Sequence, residues 1–422
     1  MATMQHDESQ ILNEGQQAMQ VNDDLLDESY IRDPYPRLKD LRSLDPVHWN
    51  EYYGGWEITR YRDVTGLLRN GQMSSAVITR APGRRSEAGE SVTDFVLNVL
   101  STWTVFRDPP DHTRLRSLMN KAFTPRTVAR IEAQIQDMAG GIIDAALEQG
   151  TVDAVQDLAL PLPARVIALL LGVPEEDFKL FQQWADDFAP VFLGYFGAEH
   201  RHQRGHDAMN QLTSYLSDLV TSRRVDPRDD LMSQLVHART EEGQLTQEEV
   251  VYSVVQLLIA GFETTRNLIA NSLNLLTSHP DVYRNIQDRP DETNLIVEEI
   301  LRIEGPIRVS QRLVADDFAF EGHDFIAGQK VLLSLASANR DSAEFVDPDE
   351  LNFRRENRQH VAFGGGIHYC LGAPLARLET KVFLQEFARM VEQISLTTDT
   401  PSHLKSLFIR GFAELPVALS RS

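Results

Sequence analysis

Cysteine is almost absent from this chain, because only one of its 422 residues, Cys370, carries a thiol. A single thiol excludes an intramolecular disulfide framework, a zinc site built from several cysteines and an iron–sulfur cluster held by cysteines. Any cysteine chemistry must therefore take place at Cys370.

Long apolar runs are also missing. No stretch of about eighteen apolar residues occurs, so we expect no helix that spans a membrane. The polar and acidic residues 5–27 contain no basic region followed by an apolar one, so we expect no secretory signal peptide. These absences predict a soluble, cytoplasmic protein.

Basic residues are outnumbered. The chain has 41 lysines and arginines against 62 aspartates and glutamates, for a formal net charge of -21. Nucleic-acid binding needs a basic face that neutralises phosphates, and an anionic membrane surface attracts the same charge. We therefore expect neither a nucleic acid nor a membrane as a partner.

The sequence shows no sign of a domain boundary. Length alone suggests two or three domains, but no internal repeat, low-complexity segment or Gly/Ser/Pro-rich linker divides the chain. With 42% hydrophobic residues the chain can bury a large core. We predict a mobile acidic leader over residues 1–26 and a single large domain over residues 27–422.

Helical periodicity dominates that domain. Apolar residues recur three and four positions apart in the segments 113–122, 128–148, 164–171, 176–188, 206–223, 229–238 and 376–394. Strand-like alternation is confined mainly to residues 47–60, around Gly54 and Gly55, and residues 312–335. The fold is therefore predicted to be mainly α with a small β lobe, in which the two strand-rich segments are candidates for one sheet.

One predicted helix is unusually long. Thr246 and Glu249 form a capping-box pattern, and the helical period continues to about residue 277, a length of about 48 Å. Its middle, residues 260–265, reads Ala-Gly-Phe-Glu-Thr-Thr, a combination that we expect to loosen the helix locally. A carboxylate and hydroxyls in an apolar run point to a cavity; the alternative is a kinked core helix with a solvated glutamate.

The most informative segment is residues 363–374, Phe-Gly-Gly-Gly-Ile-His-Tyr-Cys-Leu-Gly-Ala-Pro. Its glycines allow the backbone to lie against a flat object. Cys370 stands just before a predicted helix, where backbone N–H groups and the helix dipole favour a thiolate, the axial ligand that an iron porphyrin needs. The alternative is a buried, inert cysteine beside a glycine-rich turn.

This segment resembles the haem-binding signature of the cytochrome P-450 family, Phe-x-x-Gly-x-His-x-Cys-x-Gly, and the similarity extends from about residue 33 to residue 419. The resemblance implies the cytochrome P-450 fold, haem b (iron protoporphyrin IX) as cofactor and Cys370 as the axial ligand of its iron. It also implies that the cofactor is contacted by Phe363, Gly364, His368 and Gly372.

Two further motifs resemble those of the same family. Glu299 and Arg302 match its Glu-x-x-Arg pair, and with Arg355 they imply a structural triad below the cysteine segment. In the long helix, Glu263 and Thr264 imply a proton relay to iron-bound dioxygen, and Ala260 and Gly261 imply the groove in which oxygen sits.

Four basic residues occupy positions that the resemblance assigns to the two carboxylates of the porphyrin. Charge-assisted hydrogen bonds hold such carboxylates. The four residues are His112, Arg116, Arg312 and His368.

The resemblance implies a soluble bacterial monooxygenase that receives two electrons from a ferredoxin and an NAD(P)H-dependent ferredoxin reductase. Docking of an acidic ferredoxin would need a basic patch, for which the candidates are Lys121, Arg126, Arg358 and Arg377. Segments that border the family's pocket, residues 77–105, 188–196, 307–309 and 407–412, are apolar, which favours hydroxylation or epoxidation of a medium-to-large apolar molecule. The alternatives are a peroxide-driven peroxygenase or a nitric-oxide-type reductase on the same scaffold, and a non-enzymatic helical binding protein.

Overall fold

The computed structural model describes residues 21–80, 92–192, 201–240 and 243–421. Residues 1–20 of the predicted leader lie outside the described residues. Residues 21–26 lie within them, and Leu25 is buried against Tyr30 and Leu38.

Helices form most of the described chain. The α-helices are α1 (Glu28–Arg32), α2 (Tyr35–Leu44), α3 (Tyr61–Leu67), α4 (Val92–Thr102), α5 (Asp111–Ala122), α6 (Pro125–Ala129), α7 (Glu132–Gln149), α8 (Pro161–Leu170), α9 (Phe178–Phe192), α10 (Arg201–Val225), α11 (Leu231–His237), α12 (Gln247–Ser278), α13 (Pro280–Asp288), α14 (Thr293–Glu304), α15 (Leu335–Ala338) and α16 (Ala373–Met390). Short 3-10 turns occupy Thr104–Phe106, Glu175–Asp177, Pro290–Glu292 and Gly366–His368, and a π-helical turn occupies Ala154–Ala159.

The strands are short and fall into several small sheets. They are β1 (Val47–Asn50), β2 (Gly55–Ile58), β3 (Met73–Ser74), β4 (Thr151–Asp153), β5 (Arg239–Thr240), β6 (Gly243–Gln244), β7 (Val309–Val314), β8 (Phe318–Phe320), β9 (His323–Phe325), β10 (Lys330–Ser334), β11 (Val391–Leu396), β12 (Ser402–His403), β13 (Phe412–Glu414) and β14 (Pro416–Arg421). A five-stranded sheet has the order β1-β2-β10-β7-β3, and a three-stranded sheet has the order β11-β14-β4.

The larger sheet unites the two segments in which the sequence shows strand-like alternation. β1 and β2 form an antiparallel hairpin, with Val47 opposite Ile58. β2 pairs in parallel with β10, and β10 pairs antiparallel with β7. The expectation that both segments belong to one sheet is confirmed.

Helix α12 follows the sequence prediction closely. The Thr246 side chain accepts a hydrogen bond from the backbone N–H of Glu249, and the Glu249 carboxylate accepts one from the N–H of Thr246. The helix then continues for 32 residues without interruption. The loosening predicted around residues 260–265 does not interrupt the helix, although the Thr264 hydroxyl donates to the Ala260 carbonyl (2.6 Å) as that prediction assumes.

Two other helix predictions were wrong in their boundaries. The segment 128–148 is divided between α6 and α7, and the segment 376–394 is helical only as far as Met390. Residues 391–396 form β11 because they pair with β14.

The main apolar core surrounds α12, which packs against α8, α10, α14 and α16. Among the described residues, no helix combines the length and the apolar character that crossing a bilayer requires. One face of α12 borders a large cavity, and the loop that carries Cys370 lies at the same cavity.

Candidate functional site

The cysteine loop, residues 363–372, folds tightly around its own backbone. The Cys370 N–H donates to the Phe363 carbonyl (3.1 Å), and the Tyr369 N–H donates to the Gly366 carbonyl (3.2 Å). Gly364 and Gly366 have φ angles of +69° and +64°, which favour glycine. A Cβ atom on Gly366 would lie 2.5 Å from the Leu68 carbonyl oxygen. The loop therefore needs glycine at these two positions.

Cys370 faces the cavity at the beginning of α16. Burial raises the pKa of the Cys370 thiol, whereas the N–H groups of Gly372 and Ala373 and the charges of Arg116 and Arg377 lower it. The expected contribution of the helix N-terminus is thus present, but desolvation outweighs it. A bound metal ion removes a proton from a coordinating thiol, so the surroundings of Cys370 suit a metal ligand better than a free thiolate.

The cavity beside Cys370 has a volume of about 780 Å³. Most of its wall is apolar, with contributions from Ile78, Val96, Leu100, Trp103, Phe106, Ile307, Val309, Leu407 and Phe408. Except for Phe106, these residues lie in the segments that the family resemblance assigns to the pocket; residues 81–91 and 193–196 of those segments lie outside the described residues. The cavity is large enough for a flat cofactor and an organic molecule beside it.

A basic cluster, consisting of His112, Arg116, Arg312 and His368, lies at one side of this cavity. The rings of His112 and His368 are 4.1 Å apart between centroids. Arg312 donates to the Ser310 hydroxyl (2.7 Å) and the Gln311 carbonyl (2.8 Å), and Arg116 donates to the Tyr369 carbonyl (2.7 Å). Across the parts of the chain that the structure describes, no member of the basic cluster has an ion pair with a carboxylate.

The basic cluster is electrostatically unfavourable as it stands. Burial lowers the pKa of Arg312 to about 10. Burial, followed by the charges of Arg312, His112 and Arg116, lowers the pKa of His368 to about 3. Both ring nitrogens of the buried His112 are without a hydrogen-bond partner among the described residues. Two carboxylates placed here would satisfy these groups, so the cluster fits the porphyrin expected from the sequence.

Helix α12 presents Ala260, Gly261 and Thr264 to the cavity, as the sequence analysis expected. Gly261 also has a packing role that the analysis missed. A Cβ atom at this position would lie 3.0 Å from Cδ1 of Ile167 in α8. Glycine at 261 therefore permits the close approach of α8 to the cavity wall.

Glu263 does not line the cavity in this structure. Its carboxylate forms an ion pair with Arg266 (Nη1 to Oε1, 3.0 Å) and accepts a hydrogen bond from the amide of Asn267 (3.2 Å). Arg266 in turn reaches Asp186 of α9 (3.3 Å). The two predicted relay residues are thus adjacent in sequence, but only Thr264 borders the cavity.

The three residues of the predicted triad meet in a buried network away from the cavity floor. Arg302 donates to both oxygens of Glu299 (2.9 and 2.8 Å), and Arg355 Nε lies 2.9 Å from each of them. Further N–H groups of Arg302 donate to the carbonyls of Asn339 and Pro348 (2.8 and 2.7 Å). This network joins α14 to the segment that precedes the cysteine loop.

Some residues near the site were not identified from the sequence. The hydroxyl of Ser75 is buried at the cavity and has no hydrogen-bond partner among the described residues. Asp108 accepts from the Ser75 N–H (2.8 Å) and so holds this segment beside the basic cluster. Isolated serines carry no sequence signal, because only the folded chain brings residue 75 to residue 108.

Behind the cysteine loop, Glu298 binds Arg377. From the sequence, Arg377 is one of the candidates for the basic patch that a redox partner would need. Its charge is instead engaged by this carboxylate, at 2.6 Å between Nε and Oε1.

Comparison with known proteins supports the same interpretation. The family model for cytochrome P-450 matches residues 90–292 and 291–407. The chain is 33% identical over 400 residues to a polyketide biosynthesis cytochrome P-450, PksS, from Bacillus subtilis (strain 168), with 92% of this chain and 96% of the relative covered.

Two other similar proteins carry names that mention a molecule. A vitamin D(3) 25-hydroxylase from Pseudonocardia autotrophica is 35% identical over 403 residues, with 94% of this chain and 96% of the relative covered. The solved structure of CYP109E1 from Bacillus megaterium in complex with corticosterone has a TM-score of 0.82 and 31% identity, with 93% of this chain and 99% of that chain covered.

Proposed function

The chain belongs to the cytochrome P-450 family of haem-thiolate monooxygenases, and on that premise we propose that it binds haem b through Cys370 and hydroxylates or epoxidises an apolar, medium-to-large organic molecule. The observation that carries the proposal is one cavity that is lined both by the only thiol of the chain and by a basic cluster that has no carboxylate ion-pair partner among the described residues. When bound, the haem supplies the activation of dioxygen and the transfer of one oxygen atom to the substrate.

The residues that would hold haem b follow from the chemistry of the site. Cys370 would ligate the iron, and the carboxylates of the porphyrin would accept hydrogen bonds from His112, Arg116, Arg312 and His368. Phe363, Gly364 and Gly372 border the same space and would contact the ring. The buried hydroxyl of Ser75 would serve as an additional donor at this end of the cavity.

Helix α12 would contribute to the reaction by delivering protons to the cavity. The Thr264 hydroxyl borders the cavity and can hold a water molecule there when it turns from the Ala260 carbonyl. Glu263 is the nearest carboxylate in sequence, but it is paired with Arg266. Glu263 could pass protons to Thr264 only after its side chain leaves that ion pair, which makes its mobility a part of the proposed relay.

The apolar wall selects the substrate class. Besides the basic cluster, the polar side chains at the cavity include Gln256 and Gln311. A fatty acid, terpenoid, steroid or macrolide would bury its surface there and exclude water from the reacting carbon. Two of the similar proteins bear names that mention vitamin D(3) and corticosterone, which supports a molecule of that size and polarity.

The proposed electron donor is a ferredoxin, which an NAD(P)H-dependent ferredoxin reductase reduces. With a formal net charge of -21, the chain would need a local basic surface to dock an acidic ferredoxin. Lys121, Arg126 and Arg358 are exposed and remain candidates for that surface.

The proposed function is tested with purified haem-loaded protein, a ferredoxin, its reductase and NAD(P)H under ¹⁸O₂. A library of steroids, terpenoids, fatty acids and macrolides is first screened for displacement of the iron-bound water by visible spectroscopy. We expect the turnover product of a binding molecule to gain a single labelled oxygen. Product formed with hydrogen peroxide alone, and no product with the electron-transfer chain, would identify a peroxygenase instead.

A further inference from the structure

Helix α14 carries two consecutive carboxylates that serve different parts of the protein. Glu299 binds Arg302 and Arg355 in the buried triad. Glu298 points to α16 and binds Arg377 through both oxygens, at 2.6 Å from Nε and 3.0 Å from Nη2. Successive side chains on a helix diverge by about 100°, which explains how neighbouring residues reach separate partners.

Arg377 contacts the cysteine loop from outside the cavity. Its Nη1 donates to the Tyr369 hydroxyl (3.3 Å), and its guanidinium carbon lies 4.5 Å from the centroid of the Phe363 ring. Tyr369 directly precedes Cys370, and Phe363 begins the loop. One guanidinium therefore contacts the first residue of the loop and the residue next to the thiol.

Glu298 contacts a third point, just before the loop. The Ala362 N–H donates to Nδ1 of His360 (3.2 Å), so Nε2 of this imidazole carries the hydrogen. Nε2 then donates to Glu298 Oε2 (3.2 Å). The carboxylate thus connects α14 to His360 directly and to Tyr369 and Phe363 through Arg377.

The pair is charged and partly shielded from solvent. Although burial alone would raise it, hydrogen bonds from His360 and Arg377 lower the pKa of Glu298 to about 2. Glu298 raises the pKa of Arg377 in return. Arg377 is also among the positive charges that act against burial to lower the pKa of the Cys370 thiol.

We propose that the Glu298–Arg377 pair is a positioning device for Cys370, which fixes the cysteine loop and sets how strongly its sulfur donates electrons to a bound iron. The inference rests on the proposed function, because it requires haem at Cys370. It assigns a role to two residues that do not line the cavity and would not contact a substrate.

The charge of each partner determines whether its removal should raise or lower the midpoint potential of the haem. Reduction of the iron adds negative charge, so an uncompensated cation nearby favours the reduced state and an uncompensated anion opposes it. We expect Glu298→Gln, which leaves the guanidinium unpaired, to raise the midpoint potential of the haem. Arg377→Gln removes the positive charge that compensates the Glu298 carboxylate and should lower the midpoint potential. Each change should alter the equilibrium constant for reduction several-fold.

The Arg377→Lys variant separates the effect of the positive charge at position 377 from the effect of its hydrogen-bond geometry. Lysine retains the positive charge but loses the planar fork that binds Glu298 and Tyr369 together. The midpoint potential of the haem in this variant should stay near that of the wild type. The thiolate-type spectrum of its reduced carbon monoxide complex, however, should convert faster to the thiol-type spectrum. If Arg377→Gln yields no haem-loaded protein, Arg377→Lys and Glu298→Gln still provide the comparison.

The matched control is Lys381→Gln on the same helix. Lys381 lies one turn beyond Arg377 and pairs with Glu132 of α7 (2.8 Å) instead of with the loop. We expect this variant to leave both the potential and the spectrum unchanged. Potentials of Glu298→Gln and Arg377→Gln that move in the same direction, or no further than the control, would overturn the proposal. A wild-type protein without the thiolate-type spectrum would reject the proposed function itself, and the pair's role with it.

Discussion

The triad and the basic cluster both contain buried basic side chains, and these side chains differ in what they bind. In the triad, Arg302 and Arg355 share both oxygens of Glu299 and use their remaining N–H groups on backbone carbonyls. In the basic cluster, Arg312 donates to a hydroxyl and a backbone carbonyl, and neither ring nitrogen of His112 has a hydrogen-bond partner within the described residues.

The difference indicates what each cluster is for. A buried charge that is fully hydrogen-bonded to its own chain fixes one conformation, and its loss leaves an uncompensated partner. A buried charge that lacks an anion is costly until a ligand provides one. We therefore expect the triad to stabilise the fold, and we propose that the basic cluster binds the carboxylates of the haem.

The largest expected effect comes from breaking the satisfied cluster. Glu299→Gln leaves two buried guanidinium groups without their anion, which should cost about 3–5 kcal/mol of folding free energy. We expect a sharply reduced yield of haem-loaded protein and a lower urea midpoint. The control is Glu292→Gln, which removes a more exposed pair with Arg354. A stable, fully haem-loaded Glu299→Gln protein that has lost only turnover would show that the triad is catalytic.

Removing a cation from the basic cluster should spare the fold and weaken the cofactor. Arg312→Gln deletes a charge-assisted hydrogen bond worth about 1.5–3 kcal/mol, so haem should bind on the order of ten- to a hundredfold more weakly. The far-ultraviolet circular dichroism should stay that of the wild type. Haem transfer to apomyoglobin measures the loss, with Arg130→Gln, at an exposed pair with Asp229, as the control. Equal haem retention in both variants would contradict the assignment.

A smaller effect is expected at the part of the cavity wall that α12 forms. Thr264→Ala removes the hydroxyl that would hold water beside the bound oxygen, so more of the reduced oxygen should leave as hydrogen peroxide. We expect the ratio of peroxide to product per NAD(P)H to rise several-fold, with the carbon monoxide spectrum unchanged. Thr264→Ser should restore most of the coupling. An unchanged ratio in Thr264→Ala would remove Thr264 from the proton relay.

The smallest effect is expected on folding stability, from a buried carboxyl group away from the cavity. Glu379 of α16 is buried, one of its oxygens has no hydrogen-bond partner among the described residues, and burial raises its pKa well above the ordinary value. The folded protein therefore keeps a proton that the unfolded chain releases above about pH 4.5, so folding stability falls as the pH rises. Glu379→Gln should stabilise the protein by about 1 kcal/mol at pH 7.5 and have little effect at pH 4. Urea unfolding at both pH values measures this, and a destabilised Gln variant at pH 7.5 would contradict it.

The sequence predicts the parts of the site that depend on local chemistry. The capping box placed the start of α12 within one residue, and the glycine run before a helix identified the loop of Cys370. The family signatures then placed Glu299, Arg302 and Arg355 together, and the structure brings them into contact. Local pattern and family register were sufficient for these elements.

Features that depend on contacts between distant residues could not be predicted from the sequence. The direction of Glu263 depends on Arg266 and on Asp186 of α9, and the engagement of Arg377 depends on a carboxylate 79 positions away. The end of α16 was misplaced because Val391 and Ile394 fit a helical period as well as a strand, and only pairing with β14 decides between them. Tertiary contacts therefore corrected details that periodicity left open.

The central claim is that the chain's only thiol is the haem ligand, and the reduced carbon monoxide spectrum tests it most directly. Wild-type protein expressed with ample haem should show the thiolate-type absorption band, and Cys370→Ala should lose it while His112→Gln and Thr264→Ala keep it. A thiolate-type band that survives in Cys370→Ala, or a wild-type protein that remains colourless, would contradict the account.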